Sequence, residues 1–410
     1  FFLGLSNLFS SLTQMHHRFL VYAASPVVYN VGIILGALIG YPMYGITGLA
    51  VGVAVGAFLH MAIQIPFMIH GKLLPVFTNM IDWPDIKRIC VTAFPRMFTL
   101  SANQIASFAL VSMASLMTIG SISIFNFAFN LQAVPLTIIG VSYSSAVFPT
   151  LSRMYFNKDM KGFLEKMIAS AQHIIFWSMP LTILFVVLRA QIVRTILGAG
   201  KFDWADTRLT AAALALFTIS TIGQSLIILF VRAFYAEGKT ARPLYINAIS
   251  ASIIVISGYM LVKAFGMFPL FRFFLEDLLK VDGEAGTVVI VLALAYTFGV
   301  LINTILHWWM FEKVYKGFSK PVFQTLFHSF SASIIMGYAT YLSLRIFAGI
   351  FPLSKVWGIF LQGACSALIG FVVLILVLVI LQNRELVTVW RTLHSKVWKA
   401  KVPPAEVGHL

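Results

Sequence analysis

The sequence predicts an all-α, polytopic membrane helix bundle. About ten stretches of 20 or more mostly apolar residues run along the chain, a shorter one covers Phe1 to Thr13, and none of them contains Asp or Glu. A hydrocarbon core of about 30 Å is crossed by about 20 helical residues, so these windows are long enough to span it. Composition agrees: the 410 residues are 60% hydrophobic and 10% charged, with mean hydropathy +0.91. A soluble chain of this size carries about a quarter charged residues and could not bury such an apolar excess in one or two cores. The runs are unbroken, whereas barrel strands alternate in hydrophobicity over about ten residues, so helices are expected rather than a β-barrel.

Each span lies between charged or Pro/Gly-marked loops. The stub at 1–13 ends before Arg18, which opens 20–40, and 46–69 ends before Lys72. The span 91–118 follows Lys87 and Arg88, 122–150 ends before Arg153, and 167–188 lies between Lys166 and Arg189. Arg208 and Lys239 bracket 209–235, Arg242 and Arg272 bracket 244–265, and Lys280 and Lys313 bracket 286–311. The last two, 322–347 and 356–381, lie between Lys320 and Lys355 and between Lys355 and Arg384. That makes eleven.

With eleven spans the loops alternate between two faces, and the cations sort unevenly. Nineteen Lys and Arg residues fall on the face that holds Lys87, Lys158, Arg242, Lys313 and Lys396, against nine on the face that holds Arg194, Lys201, Lys263, Lys280 and Lys355, with Arg96 inside a span. Cytoplasmic loops carry the excess, so the first face and the carboxyl tail are expected in the cytoplasm. The formal charge of +15 is therefore mostly a topology signal. It is spread over many short loops, and no nucleic-acid partner is expected.

Outside the spans, Asn383 to Lys401 places Leu386, Val389, Trp390, Leu393 and Val397 on one helical side with Arg391, Lys396 and Lys399 among the rest. This pattern predicts an amphipathic tail on anionic inner-leaflet lipid. Leu74 to Arg88, with Asp82 and Pro84 suited to a helix start, reads as an interfacial linker, and Gly266 to Ala285 as a long outer loop. Cys90 and Cys365 read as small apolar residues rather than a disulfide. The chain opens on Phe-Phe-Leu-Gly within an apolar run, which reads as a piece whose earlier spans lie upstream.

Metal spacing, nucleophile elbows, phosphate-binding loops and paired carboxylates are absent from the sequence, and the fourteen acids read as loop or tail residues. No cofactor, metal or covalent chemistry is expected. His60, His173, His307 and His328 fall singly in spans and read as packed or interfacial side chains. The informative polar pattern is in the fifth span. With Asn126 as origin on a helical wheel, Asn130 lies at about 40°, Thr137 at about 20°, Ser144 at about 0° and Ser123 at about 60°. In lipid such a stripe marks either helix–helix contact or the wall of a polar cavity. Pro135 and Gly140 are placed to kink the helix and shift this phase.

The same region carries a resemblance. Gly120-Ser-Ile-Ser-Ile-Phe-Asn-Phe-Ala-Phe-Asn-Leu-Gln132, Val134-Pro135, Ile139-Gly-Val141 and Phe148-Pro-Thr-Leu-Ser152 resemble the seventh-to-eighth helix region of MviN/MurJ-type lipid II flippases. Ala24-Ser-Pro-Val-Val-Tyr-Asn30, Gln64-Ile-Pro66, Gly200-Lys-Phe202 with Asp206, and Arg232-Ala-Phe-Tyr-Ala236 with Gly238, Thr240 and Pro243 resemble other family landmarks in the right order. The resemblance implies about eleven spans of a fourteen-span, two-lobe transporter that flips undecaprenyl-linked peptidoglycan precursor by alternating access in the bacterial cytoplasmic membrane. On that map 1–70 is the remainder of an N-terminal lobe, 71–90 a linker, 91–311 a six-helix lobe, 312–382 two further spans and 383–410 the tail.

The expected substrate contacts are Asn130, Asn126, Ser123 and Thr137 with the interior cation Arg96, the partner is a lipid-linked anionic sugar, and the protein is expected as a monomer. Phe129-Asn130 stands where many members carry Asp-Arg. The Asn and Asp of a sodium site are not found in 244–265. Alternative readings are an exporter of O-antigen-type lipid-linked sugars or drugs from the same superfamily and, more distantly, a membrane glycosyltransferase or ligase.

Overall fold

The computed structural model describes residues 1–16, 19–71, 73–74, 82–200, 202–381, 383 and 385–387. Most of the expected amphipathic tail lies outside the described residues, as does Lys201, and so does the side chain of Arg96. All regular structure among the described residues is helical, and ten helices are long and apolar enough to cross a membrane. The chain divides into two compact units, Phe1–Asp85 and Ile86–Leu410.

The first unit contains α1 (Phe2–Met15), α2 (Phe19–Leu35), a π-helical turn (Gly36–Gly40), α3 (Tyr41–Tyr44), α4 (Ile46–Ala62) and α5 (Ile65–His70). Its central contact is glycine on glycine. Gly32, Gly36 and Gly40 face Gly56, Gly52 and Gly48, so that a Cβ on Gly36 or on Gly52 would lie 2.5 Å from the other residue's Cα. Lipid provides no hydrophobic force between helices, and this spacing of four lets the two backbones touch. The span expected at 46–69 is broken at Ile63 and Gln64, ahead of Pro66. The fully buried Gln64 fills the break, its Nε2 donating to Ser6 Oγ at 2.8 Å and to the His60 carbonyl at 3.0 Å, while Ser10 donates to its Oε1 at 3.1 Å.

The second unit opens with α6 (Trp83–Ser115), which makes one continuous helix of the end of the expected linker and the span after it; Asp82 accepts from the Asp85 amide at its start. There follow α7 (Ser121–Pro135), a π-helical turn (Leu136–Val141), α8 (Ser142–Phe156), α9 (Met160–Val187) and α10 (Arg189–Leu197). The chain continues with α11 (Trp204–Ile219), α12 (Thr221–Ala236), α13 (Ala241–Met267), α14 (Pro269–Leu279), α15 (Ile290–Val314), α16 (Ser319–Ala348) and α17 (Val356–Ile380). One core gathers on α6, α7, α11, α13 and α15, and a second, rich in phenylalanine (Phe163, Phe230, Phe234, Phe311, Phe318), joins α8, α9, α12, α15 and α16.

Two sequence expectations are corrected here. The apolar stretch 209–235 is two helices that meet at Ser220, and the carbonyl of Leu216 beside the break accepts from Thr297 Oγ1 on α15 at 2.8 Å. A mid-span break is tolerated when a neighbouring helix satisfies the freed backbone in this way. The acids are not confined to loops: Glu165, Asp206 and Glu312 lie within α9, α11 and α15, because these helices extend past their apolar windows into polar surroundings.

The stretch 266–285, expected as a long outer loop, contains a helix, α14. Leu275 and Leu279 pack inward there, and the buried Glu276 accepts from Arg272 Nε at 2.9 Å and Thr287 Oγ1 at 2.5 Å. The carbonyls at the end of α14 are taken by guanidiniums: Leu279 by Arg189 at 3.1 Å, Lys280 by Arg208 at 2.8 and 2.6 Å. Cations at a helix C-terminus oppose its dipole.

Glu276→Ala should therefore destabilise the protein by about 1–3 kcal/mol, since it strips the buried Thr287 hydroxyl of its acceptor. Asp282→Ala should change little, because its ion pair with Arg208 is long, 3.6 Å, and the Asp282 side chain is 71% exposed. Thermal midpoints of the two variants in detergent check this, and equal midpoints would remove Glu276 from the account of α14.

Candidate polar face of the second unit

Along α7, Ser123 and Asn130 are exposed and Asn126 is half-buried, and Thr137, one residue into the π turn, is exposed as well. They share one face that the rest of the unit leaves uncovered. Neither asparagine side chain has a hydrogen-bond partner among the described residues. Thr137 is different: its hydroxyl donates to the Ala133 carbonyl at 2.8 Å.

Ser144 leaves the stripe. The wheel placed it with Asn126, but the π turn at Leu136–Val141 adds a residue to the helical repeat, and Ser144 is fully buried. The widened turn sits where Pro135 removes a backbone donor, and the Ser142 hydroxyl, five residues on from Thr137, donates to the Thr137 carbonyl at 3.1 Å. Gly140 is needed there, because a Cβ on it would lie 2.6 Å from Ser225 Oγ of α12.

The opposite side of α7 carries a polar cluster that the sequence reading passed over. Gln132 is buried, and its Oε1 accepts from Gln224 Nε2 at 3.1 Å and Thr221 Oγ1 at 3.3 Å. Gln224 Nε2 also donates to Ser220 Oγ at 2.8 Å, and its Oε1 accepts from the Tyr296 hydroxyl at 3.3 Å. This network ties α7 to the α11–α12 break and to α15. Its signal in the sequence was Gln132 lying about 240° from Asn126 on the wheel, away from the stripe.

Phe129, beside Asn130, belongs to this inner side. Its ring meets those of Phe217 and Tyr296 edge to face, at centroid separations of 5.5 and 5.3 Å. The Phe129-Asn130 pair thus divides its work: Phe129 fixes the rotation of α7 about its axis, and Asn130 is held outward. Arg96 lies in α6.

Next to the Thr137 end of the stripe is an apolar cavity of about 520 Å³, lined by Ile138, Tyr143, Trp177, Phe371, Leu374 and Leu378 among others. It joins the π turn and α8 to α9 and α17. Among the described residues no three His, Cys, Asp or Glu side chains are placed to hold a metal ion. His307 is buried, its Nδ1 3.0 Å from the Asn303 carbonyl and its ring 6.5 Å from that of Phe230, as a packed histidine is.

The sequence model of the family described as lipid II flippase MurJ matches residues 1–271. The chain is 27% identical over 259 residues to the probable lipid II flippase MurJ of Thermotoga maritima, covering 61% of this chain and 50% of the relative. It is 25% identical over 272 residues to the lipid II flippase MurJ of Burkholderia cenocepacia, covering 65% and 52%. The chain thus spans about half the length of these relatives. A solved structure described as lipid II flippase MurJ in an inward closed conformation superposes with a TM-score of 0.69 at 21% identity, over 94% of this chain and 72% of that one, a likeness of fold. On the family match, the chain belongs to the lipid II flippase MurJ family.

Proposed function

We propose that this chain is part of a flippase that carries undecaprenyl-linked peptidoglycan precursor across the bacterial cytoplasmic membrane by alternating access, without covalent chemistry. The observation that supports this best is the uncovered line of Ser123, Asn126, Asn130 and Thr137 on a lipid-length helix. Amides left facing hydrocarbon are costly, so this face requires water or a polar ligand. A flippase offers both, in a wet cavity that the head group enters. The apolar cavity beside Ile138 and Tyr143 suits the other half of such a substrate, a branched hydrocarbon tail.

Within this reading Asn126 and Asn130 hydrogen-bond the phosphates or sugars, and Arg96 offsets their charge. Family membership and these paired surfaces favour a lipid-linked oligosaccharide over a soluble drug. The test is restoration of outward transport in cells depleted of their resident flippase. Expression of the full-length protein that contains this chain should return the lipid-linked sugar to the outer face, where an impermeant label reaches it. If a relative restores labelling in that strain and this protein does not, the proposed substrate is wrong.

The loops that hold Lys158 and Lys313 are proposed to be cytoplasmic and those that hold Lys201 and Asp282 external. Single cysteines introduced there, after replacement of Cys90 and Cys365, should react with an impermeant maleimide from outside only at the latter pair. Outside labelling of the Lys158 loop would reverse the orientation.

A further inference from the structure

We propose that a groove between α12, α15 and α16 is a binding site for an anionic phospholipid of the leaflet on the lysine-rich side. The groove encloses about 500 Å³ and its walls include Ile222, Leu226, Leu301, Ile305, Trp309 and Phe323. It exists because Gly223 lets α12 and α15 approach: a Cβ there would meet Thr304 Oγ1 at 2.5 Å. The Thr304 hydroxyl donates to the Val300 carbonyl at 2.8 Å, so the floor makes no unmet polar demand. Leu301, Ile305, Trp309 and Phe323 are exposed, and the groove opens sideways towards hydrocarbon.

On α15 the lining positions 301, 304, 305, 308, 309 and 312 repeat at three- and four-residue spacing. They trace one face for about 16 Å at 1.5 Å per residue, a length suited to an acyl chain. The sequence then turns cationic at one end only. Lys313 continues the line of Ile305 and Trp309, with its Nζ 5.3 Å over the Trp309 ring, and Lys316 and Lys320 follow, all three exposed.

The acid at this end, Glu312, is engaged by the loop: it accepts from the Gly317 amide at 2.9 Å and from the Ser319 amide and hydroxyl at 2.8 Å each. Trp308 Nε1 donates to the same Ser319 hydroxyl at 2.8 Å, so the mouth is rigid as well as positive. An apolar track that ends in three lysines matches one hydrocarbon chain beneath one anionic phosphodiester. The groove shares no lining residue with the cavity beside the polar stripe of α7, and the inference stands apart from the transport reading.

Native mass spectrometry of the purified full-length protein with phosphatidylglycerol or phosphatidylethanolamine tests this. Phosphatidylglycerol should be retained in preference, and the combined Lys313→Gln, Lys316→Gln, Lys320→Gln variant should lose at least about tenfold in that affinity, as expected from about 1 kcal/mol per lysine at an anionic headgroup. Ile305→Trp, which fills the groove and leaves the lysines in place, should lower retention as well. Binding of both lipids alike, or unaltered phosphatidylglycerol retention in the glutamine variant, overturns the proposal. Displacement of phosphatidylglycerol from the wild-type protein by equimolar undecaprenyl phosphate also overturns it, by assigning the groove to the substrate's tail.

Discussion

Gly52→Val should disrupt the α2–α4 pair and with it the first unit. The added Cβ would lie 2.5 Å from the Gly36 Cα, and that atom belongs to a backbone that cannot rotate aside. Overpacking a core against flexible side chains costs about 1–3 kcal/mol. Here two helices must separate along a seam of three glycine pairs, and the loss is expected to be at least about 3 kcal/mol, the upper end of that range. Because helix association in lipid rests on close packing, little remains to hold the pair once the backbones part. The variant should show a much lower thermal midpoint and early proteolysis within residues 1–71. Gly4→Val is the control, since nothing lies within 4 Å of its Cβ position, and it should behave as wild type. A Gly52→Val protein as stable as that control would mean that the glycine seam does not hold the unit together.

The glycine seam was open to reading at the sequence level, because Gly32, Gly36, Gly40 and Gly48, Gly52, Gly56 repeat every four residues, the spacing of a close helix contact. Hydropathy does not register it, since glycine counts as neither strongly apolar nor polar. Hydropathy did supply the helical architecture: α9, α13, α16 and α17 lie where apolar windows between charged loops placed spans. Windows averaged over about 20 residues cannot resolve a single-residue event, and so the break at Ser220 was not placed, whereas Pro135 and Gly140 marked the phase shift, and the π turn follows the first and contains the second. The π turn mattered most to the site. An ideal 100° per residue carried Ser144 onto the stripe, whereas one widened turn buries it and leaves Ser123, Asn126, Asn130 and Thr137 together. The Gln132–Gln224–Tyr296 network was hidden for a different reason, because its members come from three helices and meet only in the fold. Likewise α14 is short and the carbonyls at its C-terminal end bind Arg189 and Arg208 from other helices, partners that no local pattern announces.

The sharpest separation of outcomes is expected at Asn130. It is exposed on the uncovered face of α7, while its neighbour Phe129 is locked by Phe217 and Tyr296, so substitutions should alter the face without turning the helix. If the face lines the transport cavity, Asn130→Ala removes a hydrogen bond to an anionic group, worth about 1.5–3 kcal/mol, and transport should fall about tenfold or more. Asn130→Asp should be worse. A carboxylate about 4 Å from a phosphate at an effective dielectric constant of about 20 is repelled by about 4 kcal/mol, so transport should drop at least about a hundredfold. Asn130→Arg should fold and transport, because a guanidinium in a wet cavity keeps its solvation and can pair with phosphate. At a dry helix contact the order reverses, since an unpaired buried guanidinium costs several kcal/mol while the Asp carboxyl can protonate and hydrogen-bond. Transport and thermal midpoints measured together on the three variants in the full-length protein distinguish the two cases. A misfolded Asn130→Arg beside a fully active Asn130→Asp would assign the stripe to helix packing and remove it from the substrate path.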